Sequence, residues 1–136
     1  MKDISSALRT RMIAAAAALS LPVAWPLESF DPPDGDYLRF YFSPAGDDAL
    51  SYGPGGLDSI SGFIQIDVVC KIRAGVSGTI LAIFDTLRAQ FKIGTVLTYN
   101  NTRVTIKNRD YTDPQSQDGW AVAHLTFYWS SYETRS

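Results

Sequence analysis

The chain has 136 residues, 46% of them hydrophobic and 19% charged, with one cysteine and one histidine. That is the length of one domain with its own core and not the composition of a disordered chain, and the counts exclude an intrachain disulfide and a Cys/His zinc cage. The net charge of −2 argues against a general nucleic-acid binder, but it conceals a gradient: +2 over residues 1–27, −7 over 28–70 and +3 over 71–136.

Residues 3–20 read as a helix. Ile4, Leu8, Met12, Ala15 and Leu19 recur at helical steps, and the alanine run has high helix propensity. Asp3 is placed to cap it, and Pro22 stops it. The same stretch has a second reading: basic residues, an apolar run and Pro22-Val23-Ala24 resemble an export signal cleaved after Ala24. The weak hydrophobicity of alanine and the helical face of larger apolar residues favour the helix. The run is too short to span a membrane.

Residues 21–36 hold four prolines and Gly35 and form an irregular connector. Tyr37–Ser43 alternates as a strand, with Leu38, Phe40 and Phe42 on one face, and Pro44 closes it. Residues 44–58 carry four glycines and two prolines and are expected to be a long mobile loop. Its apolar residues Leu50, Tyr52 and Leu57 have no evident use inside so small a fold. The loop is either disordered or ordered against another subunit.

Residues 59–73 show the clearest period in the chain. Ile60, Gly62, Ile64, Ile66, Val68, Cys70 and Ile72 alternate with mainly polar residues, so the segment is a long strand with one apolar face. Gly62 marks a bulge or bend. Cys70 falls on the apolar face as an inert buried thiol. A second helix runs from a Ser77 cap to about Phe91, with Ile80, Phe84, Leu87 and Phe91 on its apolar face. Arg88 and Lys92 suit its C-terminal dipole, and Gly94 its end. Strands at Thr95–Tyr99 and Thr102–Asn108 flank an Asn100-Asn101 turn. A polar loop follows over 108–119. The last strand runs from Trp120 to about Ser130, and residues 131–136 form a polar tail. The order is α-β-β-α-β-β-β. This is a single α+β domain: a mainly antiparallel sheet of about five strands with two helices packed on one face.

Little here points to chemistry. His124 sits mid-strand and reads as a structural or exposed sheet residue. The acid pairs Asp47-Asp48, Asp34/Asp36 and Asp110/Asp113 lie in loops without sign of a cleft that would separate their pKa values. Gly53-Pro54-Gly55-Gly56 lacks the lysine and the strand–helix context of a phosphate loop. Gly75–Gly78 precedes a helix and is explained by a plain cap. Arg103, Lys107 and Arg109 are expected along one face of a hairpin strand. No catalytic, cofactor or metal residue is assigned.

Taken in order, these landmarks resemble the tail-completion proteins of long-tailed bacteriophages, the lambda-type tail terminators and their relatives. The residues that carry the resemblance are the Arg/Ala-patterned N-terminal helix, then Trp25-Pro26 with Phe30 and Pro32-Pro33. Tyr37-Leu38-Arg39 follows, running to Pro44-Ala45 and the Gly-rich loop. Gly62-Phe63-Ile64-Gln65-Ile66-Asp67-Val68 begins the long strand. Phe91 with Gly94 ends the second helix, and Asp118-Gly119-Trp120 opens the final strand. The resemblance spans nearly all of residues 3–130. It implies a structural virion subunit, neither an enzyme nor a cofactor binder. Such a subunit forms a homohexameric ring on the head-proximal end of the tail tube. It ends polymerisation of the major tail tube protein and presents a surface to a head–tail connector or stopper protein. DNA passes through the lumen without specific binding, and no membrane is involved. Its place is the virion tail or neck, and the host cytoplasm during assembly. The −7 segment is a candidate lumen lining. The loops at Tyr52–Leu57 and Tyr111–Gln117 are the expected interfaces, with Leu50, Tyr52, Leu57 and Tyr111 as contact residues. Two alternatives remain: a neck stopper or connector, and an exported small α+β binding module.

Overall fold

The computed structural model describes residues 1–134. Helix α1 spans Lys2–Leu19 and α2 spans Val76–Gln90. The strands are β1 (Val23–Ala24), β2 (Tyr37–Ala49), β3 (Leu57–Lys71), β4 (Val96–Tyr99), β5 (Thr102–Tyr111), β6 (Gln115–Gln117) and β7 (Trp120–Thr134). They form one sheet in the order β1-β2-β3-β7-β5-β4, with β6 paired to β7 beyond the end of β5.

The α+β architecture is as expected, but the sheet is larger and mixed. It has seven strands rather than about five, and β1 pairs parallel to β2 at Val23–Leu38 and Ala24–Arg39. The two extra strands are two and three residues long, too short to leave a period in the sequence.

The largest correction concerns residues 44–58. They are not a long loop. β2 continues through Pro44 to Ala49 and pairs with β3 out to Asp58. Pro44 is tolerated because β2 is an edge strand there, and a register shift between Pro44 and Gly46 absorbs the irregularity. Only Leu50–Gly56 turns the chain. Likewise β5 continues to Tyr111, β6 occupies part of the expected polar loop, and β7 runs on to Thr134 beside Leu57. The expected tail is therefore strand as far as Thr134; residues 135–136 lie outside the described residues.

The helix ends also differ. Asp3 does not cap α1; it sits in the first turn, where its charge suits the helix dipole. Ser20, at φ 55°, ends the helix in a Schellman arrangement: Leu21 N–H donates to Ala16 O and Ser20 N–H to Ala17 O. α2 begins one residue before Ser77, after Gly75 at φ 78°, with no side-chain cap. Lys92 lies beyond its last turn, which holds Arg88. Asn100 and Asn101 do take the positive φ values, 47° and 66°, that a two-residue hairpin turn needs.

Both helices cover the same sheet face. Ile4, Leu8 and Met12 of α1 and Ile80, Phe84 and Leu87 of α2 meet Ile64, Ile66, Val68, Leu125 and Phe127 in one core. Burying each such large side chain stabilises the fold by about 1.5–3 kcal/mol. α1 is thus part of the core, which the reading as a removable export signal does not allow.

Candidate assembly surface

Strand period decides which side chains face the helices and which face away. The face away from the helices carries Tyr41, Phe63, Gln65, Asp67, His124, Thr126, Tyr128 and Tyr132. The end of the β2–β3 hairpin, flanked by the last residues of β7, forms a short arm whose tip is the turn Leu50–Gly56. The tip is tied by hydrogen bonds: Leu50 N–H donates to Leu57 O at 2.8 Å, and Leu57 N–H donates to Ser51 Oγ at 2.9 Å. Gly53 and Gly55 take φ of 88° and 73°, which explains the glycines there.

All four expected contact residues are exposed: Leu50 at 56%, Tyr52 at 89%, Leu57 at 37% and Tyr111 at 59%. The structure brings only three of them together. Leu50, Tyr52 and Leu57 share the arm tip. Tyr111 pairs with Leu125, which pairs with Ile66, nine residues along β3 from Leu57. That separation is about 30 Å at roughly 3.3 Å per residue. Tyr111 instead packs its ring on Phe84 of α2, with centroids 6.1 Å apart. Beside it, Thr112, Gln115, Ser116, Gln117, Val122 and His124 line a shallow polar hollow of about 420 Å³.

A polar cluster on the open face was not singled out by sequence. Asp67 is only 3% exposed although it points away from the helices. Its carboxylate lies 3.1 Å from Arg39 and 2.5 Å from His124 Nδ1, and it accepts a hydrogen bond from Gln65 at 2.8 Å. Asp67 pairs with Arg39 on one side and with His124 on the other across three strands. The signal was the apolar–polar alternation of β3 and β7, but only their register aligns the three residues. His124 is thus a sheet residue with a structural partner. Its N–H donates to Thr112 Oγ1, and its carbonyl accepts from Thr112 N–H, both at 3.0 Å.

The acidic segment is not one surface. Asp34 pairs with Lys71 at 2.6 Å, Asp36 with Arg73 at 2.8 Å, Glu28 with Arg9 at 2.8 Å, and Asp67 with Arg39. The Arg73 guanidinium holds the Asp36 carboxyl below the ordinary carboxylate range, and partial burial opposes it. Asp34 is lowered likewise by its hydrogen bond from Lys71. Asp47 and Asp48, in contrast, stand exposed on the outer edge of β2. The basic row on β5 is broken as well. A bulge between Ile106 and Asn108 turns Arg109 toward the helix side, while Arg103 stays on the open face. Cys70 is fully buried, and burial, with the Asp36 charge adding, pushes its thiol up to about 12. It is an inert core residue. Among the described residues no His, Cys, Asp and Glu group has the arrangement of a metal site, and no helix is long and apolar enough to cross a membrane.

The open sheet face and the exposed apolar turn Leu50–Gly56 are surfaces of the kind that subunits of an assembly use for contact. The profile of the phage tail terminator protein family matches residues 3–127, and the chain belongs to that family. It is a structural protein of the virion tail or neck. A solved chain without a functional name is 27% identical, covers 96% of this chain and 95% of its own, and superposes with a TM-score of 0.77. A chain from the virion of a native gene transfer agent particle is 14% identical, covers 98% and 92%, and has a TM-score of 0.46. No curated protein matches.

Proposed function

We propose that this chain closes the head-proximal end of a phage tail tube as a ring of six copies. The ring stops addition of the major tail tube protein and offers its other side to a connector or stopper. It carries DNA through its lumen without specific binding, and it performs no catalysis. Family membership supports the tail role. The observation that supports a contact role is the arm. Its turn is tied by internal hydrogen bonds, and it exposes Leu50, Tyr52 and Leu57 at its end. Exposed apolar and aromatic groups on a preformed support are what an interface core is made of.

The test is tube polymerisation in vitro, with lengths measured by negative-stain electron microscopy. Adding this protein in amounts matched to tube ends is expected to arrest growth and leave a ring-shaped density at one end. Tubes that keep growing while the protein binds heads would assign it to the stopper role instead.

A further inference from the structure

We infer that successive copies of this chain join head to tail through the two edges of the sheet. The acidic outer edge of β2 in one copy adds, in parallel, to the β4 edge of the next. This rests on the ring reading above.

Asp47, Ile60, Ser131, Val104 and Leu97 form one registered row across the sheet, and Gly46, Ser61, Ser130, Thr105 and Val96 form the next. Segments 46–48 and 96–98 therefore stand at the same height on opposite edges. Both ladders are open on their outer sides. β2 meets β1 only at Leu38 and Arg39, and β4 pairs only with β5. The charges at the two edges are opposite. Asp47 and Asp48 mark the β2 edge. Arg103, cross-strand from Thr98, and Arg11 of α1 mark the β4 edge. Among the described residues none of these four side chains has an ion-pair partner. Ala7, Thr10, Arg11 and Ala14 of α1 line a groove of about 370 Å³ with Val96, Leu97 and Thr98, which leaves room for the side chains of an added strand.

Strand direction fits as well. β2, β3, β7, β5 and β4 alternate in direction, so β2 and β4 point the same way. A rotation about an axis along the strands brings β4 beside the next β2 in parallel and keeps the helices on one side. That is a heterologous contact able to close. Main-chain hydrogen bonds supply the attachment, and the charges set partner and register. Joining like edges places Asp47 and Asp48 against themselves, or Arg103 against itself, and is disfavoured.

The experiment is a charge exchange followed by sedimentation velocity and native mass spectrometry. Asp47→Lys/Asp48→Lys and Arg11→Glu/Arg103→Glu are each expected to weaken self-association by roughly a hundredfold or more. An equimolar mixture is expected to assemble again as alternating, even-numbered rings. Circular dichroism confirms that each variant is folded. If either is not, the Asp48→Cys/Thr98→Cys protein takes its place: oxidation is expected to give a ladder of cross-linked chains, and each single variant no more than dimers. Rings that persist in both charge variants, or a cysteine pair that gives no ladder in assembled rings, overturn the edge pairing and leave the ring standing. A wild-type chain that stays monomeric at high concentration and on tube ends overturns the ring and the edge pairing together.

Discussion

Gly62 lies under the indole of Trp129 with no room for a side chain. A Cβ on Gly62 would stand 2.6 Å from Trp129 Cζ2 and 2.9 Å from Pro44 Cα. The bare backbone lets the indole cross β3 and stack on Phe42 of β2, with centroids 5.5 Å apart and planes 7° from parallel. This stack lies beside the irregularity between Pro44 and Gly46. Gly62→Ala is expected to destabilise the protein by about 1–3 kcal/mol, as overpacking does. Urea denaturation measures it, and an unchanged midpoint would contradict the contact.

Asp67 is a buried carboxylate whose partners come from both neighbouring strands and its own. Replacing it with alanine strands Arg39 beside an empty site. Asp67→Ala is expected to cost about 2–3 kcal/mol, below the full buried-pair value because Arg39 is partly solvated. His124→Ala is expected to cost less than about 1 kcal/mol, since the imidazole is half exposed. Thermal melts of the two variants check the order, and equal losses would count against it.

Asp36 and Asp34 have carboxyls held below the ordinary range by Arg73 and Lys71. A carboxylate lowered by folding contributes stability that is present above its unfolded value. That stability is lost as pH falls below about 4 and through the folded value. Asp36→Asn is therefore expected to flatten the acid limb of the stability curve and leave its shape near neutrality unchanged. Denaturation midpoints measured across the acid range test this.

Leu8 of α1 is fully buried among sheet and helix residues. Leu8→Ala is expected to cost about 2–5 kcal/mol by leaving a cavity. A change of less than 1 kcal/mol would mean that α1 is not docked as described.

The arm tip is expected to behave oppositely. Leu50→Ser and Tyr52→Ser alter exposed residues and should shift stability by no more than about 0.5 kcal/mol. They should nevertheless reduce the arrest of tube growth several-fold, because the apolar contact is lost. Variants that cap tubes as well as the wild type would remove the arm tip from the interface.

The core was largely legible in the sequence. The alternation from Ile60 to Cys70 and from Trp120 to Phe127, and the steps Ile4–Leu8–Met12 and Ile80–Phe84–Leu87, follow from one-sided burial and need no partner to be recognised, whereas Ile72, expected on the same face, lies beyond β3 and is exposed. The arm was not legible. Gly46, Pro44 and the aspartates weaken any period, yet an edge strand needs hydrogen bonds on one side only, and β3 supplies them. The exposure of Leu50, Tyr52 and Leu57 was legible because apolar side chains stood among turn residues. The exposure of Tyr111 was legible beside a polar stretch, but its packing on Phe84 depends on a bulge that has no sequence period.

Hydrophobic spacing along the chain thus determined the number and placement of both helices and the inward faces of β3 and β7, the Cys70 position included. Those properties depend on neighbours within a few residues. Tertiary structure alone decided that Asp67, Arg39 and His124 meet and that the acidic segment divides between internal ion pairs and a free edge. It also decided that residues 44–49 are strand. Register between strands distant in sequence sets each of these, and a one-residue slip would turn every side chain of a strand to the opposite face.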